Sequence, residues 1–299
     1  MSDKILVTGA AGQLSGRIIH HLMTTQGVDA ARIIATSRTP SKLTQLKAAG
    51  VETRKTDFDD PATLEDAFAG AAKIVLVSTG ELDLKGGEGR LRQHLAAVSA
   101  AKKAGVEHLY YTSMPNPEPG SPVLFANDHY ATEQAIKASG LVYTIFRNSW
   151  YFENLLESLP GALAHGVLAT SADEGRVAYA ARDDQAAAIA AAVAKGGDDN
   201  TTLTLTGAEA LSVEEIAALA SSVAGKPLSV AHMSDDDLTK TLASAGLPAD
   251  IARLVASFDA NTRAGRVAQV TDDIERLAGR SPQRLADFLP SVKGRLIGA

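Results

Sequence analysis

Lys4-Ile5-Leu6-Val7-Thr8-Gly9-Ala10-Ala11-Gly12-Gln13-Leu14-Ser15-Gly16 decides the fold of this chain. The apolar run predicts a strand, the small residues predict a tight turn, and a helical pattern follows from about Gly12 to Gln26. Such a turn gathers backbone N–H groups at a helix N-terminus, which suits a dinucleotide pyrophosphate. The spacing is Gly9-x-x-Gly12, shorter than the commoner three-glycine fingerprint. Ser15 stands where a third glycine is usual, and Gly16 comes one residue late. A serine has room there only if the helix sits slightly farther from the strand, so a local adjustment is expected.

Outward from this turn, the first half alternates strand and helix. Strands are expected at Lys4–Thr8, Arg32–Thr36, Val51–Lys55, Lys73–Val77, His108–Thr112 and Val142–Phe146, mostly short apolar runs suited to burial on both faces. Helical patterns lie near Gly12–Gln26, Ser41–Ala49, Pro61–Phe68, Gly89–Ala104 and Ala126–Ser139. Asp60-Pro61 marks a helix start, and Gly50, Gly70, Gly105 and Gly140 each follow a helix end. Six strands separated by helices predict an α/β fold, a Rossmann doubly wound parallel sheet.

The second half is more mixed. A strand is expected at Val177–Ala181, a helix over Asp183–Lys195, then strands at Leu203–Thr206 and Leu228–His232 with a helix from Ser212 between them. Further helices are expected near Asp235–Ala245, Ala249–Phe258, Asp272–Leu277 and Arg284–Leu289. This reads as a smaller C-terminal α/β substrate subdomain. The expected division is 1–152 and 153–299, with some later segments free to rejoin the sheet.

Composition narrows the function. The chain has 299 residues, 45% hydrophobic and 21% charged, with a net charge of −6, so it is an ordinary folded protein without the basic surface that nucleic acid requires. It contains no cysteine, which excludes disulfides, thiolate nucleophiles and zinc–thiolate sites. The seven histidines fall in no metal-ligand spacing, and no metal is expected. Asp235-Asp236-Asp237 is expected to favour a helix N-terminus through its negative charge. No run is long enough to span a membrane and the start lacks a signal-peptide pattern, so a cytoplasmic protein is expected.

The second strand leads into Ser37-Arg38-Thr39-Pro40. An acidic residue here would bind the ribose 2′-hydroxyl and repel a 2′-phosphate. Arg38 does the reverse, since its guanidinium suits a forked contact to the phosphate. NADP (NADPH) is therefore favoured over NAD. Asp57, after the third strand, can accept from the adenine amino group or serve only as a turn residue. Ser78-Thr79-Gly80 follows the fourth strand, where small residues let a cofactor lie across the sheet edge. Glu81–Arg90, with Gly86, Gly87 and Gly89, is expected to be a loop over the cleft or an ordinary surface loop.

Thr8 through Leu14, Arg38, Tyr110-Tyr111-Thr112-Ser113 and Leu141-Val142-Tyr143-Thr144-Ile145-Phe146-Arg147-Asn148-Ser149-Trp150-Tyr151 together resemble the NmrA-like branch of atypical short-chain dehydrogenases. The similarity runs almost end to end, toward bacterial NADPH:quinone oxidoreductases and triphenylmethane reductases. It implies an NADP-binding domain, a small C-terminal domain with a substrate cleft, and reduction of quinones or similar flat acceptors. It also implies cofactor contacts from Thr8, Gly9, Ala10, Ala11, Gly12, Gln13, Leu14, Arg38, Asp57, Ser78, Thr79, Gly80, Asn148, Ser149, Trp150 and Tyr151. A quinone-like small molecule is the expected partner, with neither nucleic acid nor membrane, and a homodimer stays open.

Ordinary short-chain dehydrogenases use Tyr-x-x-x-Lys on a helix, where one turn puts both side chains on the same face. Here Tyr130 is followed at that spacing by Gln134, which carries no charge to activate the hydroxyl. The candidate supporting residues are His129, Tyr130 and Gln134. Two have plainer readings, His129 as a surface or capping residue and Tyr130 as packing. Trp150, Tyr151 and Phe152 are expected either to form a flat apolar wall for the acceptor or to pack between domains. Without the dyad, quinone reduction is favoured over alcohol oxidation or epimerisation, because the acceptor takes hydride readily and positioning does most of the work. The alternatives are a non-catalytic NADP(H)-sensing regulator of NmrA type, and a sugar-nucleotide epimerase or small-carbonyl reductase.

Arg38→Ala is expected to weaken NADPH by about 1–3 kcal/mol, the cost of a lost charge-assisted contact, and NADH far less. Equilibrium titration of both cofactors checks this, and equal losses would remove Arg38 from the 2′-phosphate.

Overall fold

Backbone pairing in the first half follows the apolar runs. The computed structural model describes residues 3–80 and 89–298. Its strands are β1 (Ile5–Val7), β2 (Ile33–Ser37), β3 (Glu52–Lys55), β4 (Lys73–Leu76), β5 (His108–Ser113) and β6 (Val142–Asn148). Between them lie α1 (Gln13–Thr24), α2 (Thr44–Ala48), α3 (Pro61–Phe68), α4 (Gly89–Lys103) and α5 (Ala126–Ala138). The spatial order is β3-β2-β1-β4-β5-β6 with parallel pairing throughout this run, which is the doubly wound sheet the sequence predicts. Strand order reverses between β1 and β4, and ligands bind at the carboxyl ends beside such a reversal. Of the expected loop at 81–90, residues 81–88 lie outside the described residues, and Gly89 opens α4.

One face of the sheet presents Leu6, Ile34, Ile74, Leu76, Leu109, Tyr111 and Ile145 to Leu64 and Phe68 of α3, Ala97 and Ala101 of α4, and Ile136 of α5. Alternate residues reach the same face of a strand, so each strand supplies this layer with every second side chain. β3 is the exception in composition. It is an edge strand of sequence Glu-Thr-Arg-Lys, with Glu52 bound to Lys4 and Arg54; charges there discourage pairing with a foreign strand.

The second half departs from expectation at its start. Residues near the anticipated boundary form α6 (Leu155–His165), with Pro160 inside the helix. Proline costs this helix one N–H bond, which burial of Leu155, Leu156, Leu159 and Leu163 against Ile216, Leu285, Phe288 and Leu289 outweighs. Then come β7 (Val167–Thr170), β8 (Arg176–Val177), α7 (Arg182–Lys195), β9 (Thr201–Leu205) and β10 (Leu211–Ser212). The chain continues with α8 (Val213–Ala224), β11 (Ser229–His232), α9 (Asp235–Ser244) and α10 (Ala249–Arg263). It ends in α11 (Asp273–Ala278), α12 (Leu285–Ser291) and α13 (Lys293–Ile297). The strand expected over 177–181 shrinks to β8 and a single bridge between Tyr151 and Ala180. β9 joins the large sheet beside β6. The triple aspartate occupies the first turn of α9, where Ser234 supplies the cap to the Asp237 N–H.

The chain forms two compact units. One contains Met1–Met114, Asp128–Asn148 and Gln185–Thr204, and the other contains Pro115–Asn127, Ser149–Asp184 and Leu205–Ala299. The backbone thus crosses between units at 148/149, where sequence alone suggested 152/153. No helix among the described residues is long and apolar enough to cross a membrane.

The first unit carries a buried polar chain under its sheet edge. Arg90 reaches His129 Nε2 at 2.9 Å, so the ring proton of His129 lies on Nδ1 and is donated to the Tyr111 hydroxyl at 2.8 Å. The Thr79 N–H donates to His94 Nε2 at 3.1 Å, which places the His94 proton on Nδ1, 3.0 Å from Thr132 Oγ1. Both rings are therefore neutral. A second ring proton on either would confront an existing donor. Burial and the charge of Arg90 push His94 down to about 3 and lower His129 well below its ordinary value.

The sign follows from linkage. Unfolded histidines gain protons below about pH 6.5 while these two stay neutral when folded, so their contribution to stability is lost as pH falls from 6.5 toward the folded values. Between pH 6 and 5 the unfolding free energy should drop by about 1.2 kcal/mol through His94, and His129 adds to the drop in the same direction. His94→Gln should remove one proton's share of that slope in urea titrations; an unchanged slope would show that His94 is not held neutral.

Candidate functional site

The turn after β1 is shaped by its backbone. Gly9 has φ of +63°, a conformation that disfavours other residues. Gly12 accepts no substituent easily, since a Cβ there would lie 3.1 Å from the Gly9 carbonyl. The Ala10 N–H binds Thr36 O at 2.7 Å, tying the turn to β2. Gly12 is the N-cap of α1 and offers no side chain to the first-turn amides. Those amides have no carbonyl partner within the helix, and Gly9, Ala11, Gly12 and Gln13 are exposed while Ala10 and Leu14 are buried. The result is a backbone donor site at the positive end of a 12-residue helix, fitted to an anion. Ser15 is buried, and its hydroxyl donates to Thr8 O at 2.8 Å. The residue in the usual glycine place thus ties the helix to the end of β1.

Arg38 lies just past β2, exposed, and makes no hydrogen bond or ion pair among the described residues. Asp57 is half-buried, with Oδ1 accepting from the Asp59 N–H at 3.1 Å in an aspartate turn. At the end of β4 the Ser78 N–H donates to Thr112 Oγ1 at 2.9 Å and the Thr79 N–H to His94, so backbone and side chains of neighbouring elements pin this corner. A Cβ added at Gly80 would meet nothing within 4 Å among the described residues.

β6 ends at Asn148, whose side-chain amide is buried with neither Nδ2 nor Oδ1 partnered among the described residues. An unmet buried amide is costly, roughly 1–3 kcal/mol per group, and its donor and acceptor are complementary to another amide such as a carboxamide. Together with the glycine turn, this fits a nicotinamide dinucleotide. In the second unit, Ser149 donates its N–H to Leu205 O at 3.0 Å. The aromatic residues that follow do not make one wall. Trp150 packs on Phe258 with centroids 5.2 Å apart, the Tyr151 ring is covered by Arg182 at 4.5 Å, and Phe152 is buried against Phe288. Tyr151 is extended and Phe152 opens a 3-10 turn, so the three rings pack on different neighbours within this unit and form no flat three-ring wall.

On α5, His129 is an interior residue with both ring nitrogens engaged, so it offers nothing to a ligand; the expectation of a supporting or surface histidine is corrected by its burial. Tyr130 is half-buried with no hydrogen-bond partner among the described residues, and Gln134 is exposed. The residue that sequence reading missed is Glu133. It is fully buried, accepts from Ser113 Oγ at 2.7 Å, and takes Arg147 Nε at 3.0 Å and a terminal nitrogen at 2.7 Å. This forked pair joins α5 to the carboxyl ends of β5 and β6. The signal was present in Phe146-Arg147: an arginine closing a buried strand requires an acidic partner.

Two adjoining concavities of about 720 and 470 Å³ lie in the second unit and share Asp173 and His232. No residue of the glycine turn, Arg38 or the Asn148 segment lines them. His232 Nε2 there lies 2.7 Å from a Glu214 carboxylate oxygen, and Arg176 pairs with Glu215 at 2.8 Å.

Comparison with known proteins agrees with this geometry. The chain is 36% identical to quinone oxidoreductase 2 of Escherichia coli over 283 residues, spanning 95% of this chain and 96% of that protein. A crystal structure of the NADPH-dependent quinone oxidoreductase of Escherichia coli complexed with NADPH matches with a TM-score of 0.90 at 35% identity, covering 96% and 99% of the two chains. Triphenylmethane reductase of Citrobacter sp., complexed with NADP(H), matches at 0.89 and 32% identity over 96% and 99%. The NmrA-like family model aligns with residues 1–289, and the chain belongs to that family.

Proposed function

We propose that this protein is an NADPH-dependent reductase that passes hydride to quinones or similar flat acceptors. The observation that carries the reading is the backbone-donor turn at the start of α1 and the buried Asn148 amide, combined with Gln134, not lysine, one turn after Tyr130. Similarity to quinone and triphenylmethane dye reductases over nearly the whole chain supports it. Bound NADPH supplies the hydride; reduction to the hydroquinone consumes that hydride and one proton.

The chain's own residues hold and orient. The first-turn amides of α1 receive the pyrophosphate, and Arg38 forks onto the 2′-phosphate. Asp57 keeps one carboxylate oxygen for the adenine amino group. Asn148 meets the nicotinamide carboxamide, which satisfies its buried amide. Tyr130 offers a hydroxyl for a hydrogen bond to the oxyanion that develops on the acceptor. No cation adjoins that hydroxyl in the helix, and His129 is committed elsewhere, so the proton comes from water.

Steady-state NADPH oxidation with several quinones tests the reading. Turnover well above the uncatalysed rate is expected, and tight NADPH binding without turnover would favour a sensor. Tyr130→Phe should lower kcat by about 10-fold or less, whereas a loss of 10²-fold or more is the signature of a general acid. Gly12→Val should weaken NADPH and NADH by comparable factors, because its side chain crowds the pyrophosphate turn shared by both.

A further inference from the structure

Arg38 and Asp59 are brought together by strand register. β2 and β3 pair in parallel with Ser37 beside Lys55, and the Thr56 N–H continues the pairing to Ser37 O at 3.1 Å. The chain then leaves both strands at the same sheet edge, Arg38 one residue past β2 and Asp59 four past β3. The charge of Arg38 acts on the Asp59 carboxyl through space, yet the two form no ion pair among the described residues. Asp59 Oδ1 accepts from Arg92 of α4 at 2.5 Å, Asp59 Oδ2 accepts from Gln93 Nε2 at 2.9 Å, and its own N–H is bound to Asp57. Gln93 is buried, so it is a fixed anchor, while Arg92 is exposed. The Arg92 hydrogen bond, followed by that from Gln93 and the charges of Arg92 and Arg38, holds the Asp59 carboxyl below its ordinary range.

We propose that Arg92, assisted by Gln93, is a specificity-determining residue for 2′-phosphorylated dinucleotides, because it holds the Asp59 carboxylate away from Arg38. The inference rests on the reading of Arg38 as the 2′-phosphate ligand. Released from Arg92, the Asp59 carboxylate competes with the phosphate for Arg38 and repels the phosphate through space. Either effect penalises NADPH and spares NADH, which presents a ribose hydroxyl there. Arg92 thus acts through Asp59 and is a positioning residue, needing no contact of its own with the nucleotide.

A double-mutant cycle read by equilibrium binding tests this. The probes are NADPH, NADH, adenosine 2′,5′-bisphosphate and adenosine 5′-monophosphate. Arg92→Ala should weaken both 2′-phosphorylated ligands about 3- to 5-fold at low salt, the scale of an exposed charge pair, and leave the other two within experimental error. The effect should shrink as salt is raised. Asp59→Asn alone should weaken none of the four. Combined with Arg92→Ala, it should restore the 2′-phosphorylated ligands to the affinity of the unmodified protein. Failure of Asp59→Asn to rescue would make Arg92 a direct phosphate ligand and overturn the proposal. An equal loss for NADH in Arg92→Ala would mark a structural role and overturn it too. Arg38→Ala, run alongside, separates this from failure of the underlying reading: equal losses of NADPH and NADH in that variant would remove Arg38 itself from the phosphate.

Discussion

The stitch that Thr8 makes between β1 and β4 is the interaction on which the rest depends. Its N–H donates to Val75 O at 3.0 Å, and its buried side chain contacts Val75 O at 3.3 Å and accepts from the Val77 N–H at 3.0 Å. Strand order reverses at this pair, so the chain beyond β1 and the chain beyond β4 part from each other and leave a crevice at the sheet edge. Parallel strands need their carboxyl ends held in register for that crevice to have a fixed width. Thr8 does this with three contacts at one residue, and its own carbonyl receives Ser15 from α1. The helix dipole, the glycine turn and the Ser78 corner are thereby referred to a single buried side chain.

The corner beyond β4 is secured by a different means. Thr79 is held through His94, and His94 through Thr132 on α5. Such buried polar chains stabilise less than an apolar core of equal volume, since each group loses its water first. What they add is direction. Apolar packing tolerates small slides of a helix, whereas a neutral imidazole with one donor and one acceptor side tolerates few. Glu133 applies the same logic to the ends of β5 and β6, where a forked arginine fixes both distance and plane. The backbone from which Asn148 projects is therefore set by charge geometry, and the backbone of Thr79 by tautomer.

Much of this was legible in the sequence. The six strands, their intervening helices and the anion-fitting turn could be read because local signals agreed: small residues at the turn, proline at the start of α3, glycine after the helices. Asn148 followed from resemblance, and its unmet amide gives that assignment a physical reason. What escaped reading depended on tertiary packing. α6 was hidden by Pro160-Gly161, whose local preference opposes a helix and is overridden by four buried leucines. His129 and Glu133 look alike in sequence, polar residues on one amphipathic helix, and only the positions of β5, β6 and α4 decide that both turn inward. The ring directions at Trp150, Tyr151 and Phe152 were unreadable because their extended segment has its partners in residues far along the chain.

The distribution of charge also bears on the chemistry. Ionic groups gather near the sheet edge past β2 and β3, with Arg38, Asp59 and Arg92 exposed and Asp57 half-buried. Along α5 the reverse holds: His129 is neutral and enclosed, Glu133 is neutralised by Arg147, and Tyr130 has an amide one turn away. An alcohol must lose a proton as it gives up hydride, and a site without a charged acid–base pair does that poorly. A quinone accepts hydride without first exchanging a proton, and its product oxyanion is stabilised by conjugation in its own ring. The buried carboxylate of α5 is thus engaged by Arg147 and Tyr130 has no cation one turn away, an arrangement matched to an acceptor that asks the protein mainly for alignment.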